Sequence, residues 1–177
     1  MTRGTAGGAP TWDAAWLRTG LGILALTACG GFGQSGGGRL EAIWTGSDKG
    51  RMDAPATAIW CREAHVAQVS GLIGDTGVSL LIHPEDSVAE GRYRIVEPDS
   101  ARNGRAAAVG LRLLGPTAVV GYQSRSGWLT IERVAGGRLS GRFESTAKVV
   151  TALAGTVRLN GRFRDVALRP GGSTCPP

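Results

Sequence analysis

Histidine, lysine and cysteine are all scarce in this chain of 177 residues, which holds two, two and three of them. No Cys-x-x-Cys pair occurs, which excludes the usual structural zinc spacing. No apolar run reaches the roughly 20 residues of a membrane-spanning helix. No long segment repeats its apolar residues every 3.6 positions. Twenty-nine glycines argue further against a helical bundle, because glycine costs a helix interior about 1 kcal/mol relative to alanine. They do not recur every third residue, so the chain is not collagen-like. Hydrophobic residues at 42% and charged residues at 19% exclude a wholly disordered chain. What is present is arginine, glycine and many short apolar stretches.

The longest uncharged apolar run is Thr19 to Ala28, TGLGILALTA, which follows Arg18. It is too short to span a bilayer and suits the apolar region of a secretory signal. It ends in Leu26-Thr27-Ala28-Cys29. This ending resembles the lipobox of bacterial lipoproteins: a branched apolar residue, two small residues, then cysteine. The resemblance implies a signal peptide over residues 1–28, removed before Cys29. It implies a diacylglyceryl group, with palmitate-type chains, on the Cys29 sulfur. Two or more acyl chains anchor a protein stably where one binds only marginally. The resemblance therefore implies a membrane-anchored protein of the bacterial cell envelope. Gly30 in place of aspartate points to the outer membrane, facing the periplasm.

Residues 29–38, CGGFGQSGGG, read as a flexible glycine-rich tether. Gly31-x-Gly33-x-x-Gly36 matches a dinucleotide fingerprint, and Gly33-x-Ser35-x-Gly37 matches a nucleophile elbow. Both need a strand before and a helix after, and neither context exists here.

Residues 39–177 read as one small all-β domain, an antiparallel β-sandwich or β-barrel. Short strands alternate with turn signals such as Asn103-Gly104, Gly115-Pro116, Ser124 to Gly127 and Gly136-Gly137. One repeat stands out. Arg138-Leu-Ser-Gly-Arg-Phe143 recurs as Arg158-Leu-Asn-Gly-Arg-Phe163. Alternation puts Leu139, Gly141 and Phe143 on the core face, with Leu159, Gly161 and Phe163. After Phe163 the parity changes, which predicts a bulge at Arg164-Asp165. Together with Trp128-Leu-Thr-Ile131, these segments resemble small uncharacterised β-rich lipoprotein domains. That resemblance implies an all-β fold and no activity.

With Cys29 committed to lipid, Cys61 and Cys175 remain. An oxidising compartment favours their pairing as a disulfide. Arginine supplies 18 of the 20 basic residues. Arg138, Arg142, Arg158, Arg162 and Arg164 fall on the outer face of the repeated strands, a candidate anion-binding face. Guanidinium suits phosphate and carboxylate. In an envelope the acidic partners are lipid headgroups or wall polymers; another envelope protein is a further partner. Nucleic acid is not expected.

No motif indicates catalysis, a cofactor or a metal, so a non-catalytic binding or structural module is expected. Two alternatives stand beside it. One is an envelope hydrolase using His83 with Glu85 and Asp86, which predicts a cleft there and perturbed proton affinity. The other is an assembly partner or inhibitor of another envelope protein. That reading predicts an exposed apolar patch around Trp44, Trp60 or Trp128.

Overall fold

The computed structural model describes residues 37–102, 104–115, 118–150, 155–171 and 175. The expected signal peptide, Cys29 and most of the tether lie outside the described residues. Nine strands follow one another: β1 (Arg39–Gly46), β2 (Gly50–Cys61), β3 (Val66–Ile73), β4 (Thr76–His83), β5 (Gly91–Ile95), β6 (Ala106–Leu114), β7 (Val119–Ala135), β8 (Arg138–Val149) and β9 (Thr156–Pro170). A single 3-10 turn, Pro98–Ser100, interrupts the path between β5 and β6. The strands close into a barrel in the order β1-β2-β3-β4-β6-β5-β7-β8-β9. The fold is thus all-β, and of the two expected architectures it is the barrel.

Alternation decides which face is inside. In β2, Met52, Ala54, Ala56 and Ala58 are buried while the residues between them are exposed. β1, β4, β8 and β9 alternate in the same way. The inward residues of all nine strands form one apolar cluster, with Leu40, Leu80, Ile95, Leu129, Leu159 and Phe163 fully enclosed. Each large apolar side chain buried there stabilises the fold by about 1.5–3 kcal/mol. The outer face carries arginines and carboxylates. This is the reverse of a membrane-spanning barrel, whose outer face is apolar and interior polar.

Pairing is antiparallel except at two forks. β1 lies between β9 and β2 until it ends, where β9 runs on to pair directly with β2 in parallel over Ala58↔Leu168 to Trp60↔Pro170. β5 divides β6 from β7 in the same manner and pairs in parallel with β6. The buried hydroxyl of Ser124 sits at this second fork. It donates to the Val96 carbonyl at 2.6 Å and accepts from the Val109 amide at 3.0 Å, and so partners one backbone acceptor and one backbone donor where the strands part. Ser124 to Gly127, which reads as a break in the sequence, is instead a register shift inside the long strand β7.

The two copies of the repeat lie side by side. Arg142 faces Arg162, Gly141 faces Phe163 and Phe143 faces Gly161. Each phenylalanine ring fills the space left by the opposite glycine. A Cβ on Gly141 would lie 2.8 Å from Phe163, and one on Gly161 would strike the Phe143 ring and the Glu41 carbonyl. The predicted bulge is present: residues 164 and 165 together oppose Ser140. Asp165 adopts φ 53°. Its amide donates to Ser140 Oγ at 2.9 Å, and Arg138 binds both its carboxylate and its carbonyl. Cys61 and Cys175 are disulfide-bonded, with Cα atoms 5.6 Å apart. The Gly171 amide also donates to the Trp60 carbonyl, so the C-terminal segment is fastened to the end of β2.

Replacing Gly161 with alanine should cost about 1–3 kcal/mol through overpacking. The same change at Gly37, where a Cβ meets nothing within 4 Å, should be near neutral. Denaturant unfolding of the two variants checks the contrast.

Candidate functional site

The closed barrel turns the register of six strands into two parallel rows of outward side chains. One row reads Arg92, Thr130, Arg142, Arg162, Glu41 and Asp53 across β5, β7, β8, β9, β1 and β2, each residue paired with the next. The adjacent row reads Arg94, Trp128, Glu144, Asn160, Ile43 and Arg51, again in register. All of these except Arg94 line a groove of about 1180 Å3, with Ala42, Met52, Phe143 and Gly161 between the rows and Ile73 at its edge.

The groove is charged in both signs. Arg162 donates through Nη2 to Glu41 at 2.6 Å, and Arg142 donates through Nη1 to Glu132 at 2.6 Å. Arg39 holds Asp53 at 2.7 Å. Exposed pairs of this kind contribute only about 0–1 kcal/mol each. Their consequence is positional: they hold guanidinium groups in place along the groove. Trp128 is 41% exposed, unusual for so large an apolar ring. The Arg92 guanidinium lies 4.2 Å from its centroid, a cation–π contact that orients both groups. An indole beside planar cations, carboxylates, Thr130 and Asn160 can stack on a flat apolar face, pair with acidic groups and accept from hydroxyls.

The five arginines expected to form an anion-binding face divide by role. Arg142 and Arg162 stand opposite each other in the groove. Arg138 is engaged with Asp165 and braces the bulge. Arg158 lies towards the β8–β9 turn, opposite Thr146, and Arg164 lies opposite Arg39. Carboxylates lie against three of the five, so this face carries both signs of charge. Arg92 and Asn160 were not among the expected binding residues, and Trp128 was expected only in an apolar patch, not beside the arginines. Their outward parity is visible in the sequence, but their alignment depends on pairings between distant strands.

A second depression of about 520 Å3 brings both histidines together. His65, His83, Glu85, Asp99 and Arg102 line it. His65 belongs to the β2–β3 turn and has φ 47°. Burial, and then the charge of Arg102, lowers the His83 pKa below 6.5. A cleft with His83 and Glu85 is therefore present, but Asp86 is not among its lining residues. Among the described residues, no group of three or more His, Cys, Asp or Glu side chains is arranged to hold a metal ion. Of the three tryptophans around which an apolar patch is expected, Trp44 is buried, Trp60 packs partly buried against the core, and Trp128 is exposed in the groove.

No known protein family, curated protein or solved structure matches this chain.

The His83 shift fixes a sign for pH dependence. A histidine whose folded pKa is lowered binds protons more readily in the unfolded state, so stability rises with pH in the window below 6.5. Unfolding free energy should therefore fall as pH drops from 7 through 6.5 and below, and His83→Gln should flatten that part of the slope. Chemical unfolding measured against pH checks this.

Proposed function

We propose that the protein is a lipid-anchored, non-catalytic binding module of a bacterial cell envelope, carried on the periplasmic face of the outer membrane. The lipobox-like Leu26-Thr27-Ala28-Cys29 supports the anchor. The observation that carries the binding role is the groove, in which six strands present Trp128, Arg92, Arg142, Arg162 and matching carboxylates in two aligned rows. The ligand class that suits it is an extended acidic envelope polymer. Its carboxylates or phosphates would meet guanidinium groups, its hydroxyls Glu144 and Asn160, and its flat ring faces the indole. The paired surface carboxylates give this groove selectivity, because they repel a bare anion and favour one that also offers hydroxyl donors. A cross-strand ladder on a closed barrel is rigid, so little ordering opposes binding.

A second reading, an envelope hydrolase, is favoured by one observation: the depression that places His65, His83, Glu85 and Asp99 together. It would use His83, held neutral by burial, as a general base near neutral pH.

Mass spectrometry of the protein from its native membrane should find an N-terminus at Cys29 carrying acyl chains. An intact residue 1–28 leader or an unmodified Cys29 would sink the anchor. Trp128→Ala combined with Arg142→Ala should weaken binding of purified anionic wall glycan by at least about tenfold. Unchanged binding removes the groove from the proposal. Loss of hydrolytic activity on envelope substrates in His83→Ala would instead favour the second reading.

A further inference from the structure

Four strand pairs bring their linked ends to one end of the barrel: β1–β2, β3–β4, β6–β7 and β8–β9. Backbone hydrogen bonds join neighbouring pairs there, from the Leu114 amide to the Asp75 carbonyl, from Val150 to Gly121 and from Ser47 to Thr156. Three of these pairs carry unburied apolar side chains at that end. Leu72, Ile73, Leu114, Val119 and Val150 are between 38% and 61% exposed. The chain around them is uncharged over long stretches, from 113 to 124 and from 149 to 157. The opposite end, with Arg62, Glu63, Glu85, Asp86 and Asp99, is densely charged. Packing does not explain the difference, since these rim residues have no core to enter.

A basic collar encircles the rim. Arg112 stands two positions before Leu114, Lys148 two before Val150, Arg158 closes the uncharged 149–157 stretch, and Lys49 caps the fourth turn. All four are exposed, and none is ion-paired among the described residues. The acids at this end are Asp75 and Asp48, and Asp48 accepts from the Tyr122 phenol. Apolar tips ringed by unpaired cations match the two layers of an anionic bilayer, acyl chains below and phosphate headgroups at the surface. A protein partner would call for apolar tips alone or for balanced charge; the excess of cations, four against Asp48 and Asp75, favours anionic lipid.

We infer that this rim is a second membrane contact, which inserts Leu72, Leu114, Val119 and Val150 into an anionic lipid surface. The envelope reading supplies only the origin of that bilayer.

The test uses the full-length chain with Cys29→Ser, so the acyl anchor plays no part and a failure here is separate from a failure of the anchor. A polarity-sensitive dye on Val119→Cys should shift to the blue with vesicles containing phosphatidylglycerol. It should do so much less with pure phosphatidylcholine, and the shift should weaken as salt screens the collar. The same dye on Ser87→Cys, at the charged end, should not shift. Leu72→Ser with Val150→Ser, and separately Arg112→Glu with Lys148→Glu, should each reduce the Val119 dye response about tenfold at fixed lipid. Water-like emission from position 119 on anionic vesicles overturns the inference, as does a response in both double variants as large as that of the parent protein.

Discussion

The reciprocal contact of Phe143 with Gly161 and of Phe163 with Gly141 locks β8 against β9 in a single register. A slip of one residue would turn every inward side chain outward. A slip of two would drive a ring into a residue that carries a side chain, where the space no longer exists. From this register the rest follows. Arg142 and Arg162 come to lie opposite each other, so the outward row of β8 continues across β9 to Glu41 on β1 and Asp53 on β2. The same pairing leaves residues 164 and 165 opposing Ser140, and the resulting bend carries β9 past the start of β1 to reach β2.

The two forks and the disulfide complete the closure by different means. At one fork the Ser124 hydroxyl replaces two backbone partners that parted strands can no longer give each other. At the other, β9 pairs with β2, and the Cys61–Cys175 bond holds the segment just beyond it. A barrel closed in this way has no free edge strand to pair with a neighbour. Its surface is then available for recognition, and the molecule divides it into three regions. One is a mixed-charge groove along the strands, one an uncharged rim with a basic collar, and one a charged end holding both histidines.

Much of the fold was legible because it is local. The two-residue alternation in Leu139-x-Gly141-x-Phe143 and its copy identifies an inner face without any knowledge of neighbours. The parity change after Phe163 exposes the bulge, since only an extra residue returns Val166 to the core. Less was legible where one strand reads as two. Ser124 to Gly127 looks like a break because its polar residues normally mark turns, yet there the hydroxyl serves a fork between strands 28 positions apart. The segment from Gly50 to Pro55 gave little strand signal. Met52 and Ala54 are small steps of alternation, and Pro55 is tolerated because its partner at that position is Arg39, at the very start of β1. The rim was not legible as a surface either, since its apolar residues lie in three regions distant in sequence.

Amino-acid order alone determined that this chain makes strands rather than helices, which faces of those strands are apolar, where the bulge falls and which two cysteines are left to pair once Cys29 is set aside. These depend on periodicity of two, on parity and on residue chemistry. Only the closed tertiary structure decided that Arg142 and Arg162 share a groove with Glu41 and Trp128, and that Arg142 pairs with Glu132. It alone decided that the two histidines meet. The reason is physical: side chains on different strands become neighbours through register and barrel closure, and both are set by contacts such as ring against glycine that link residues far apart in the chain.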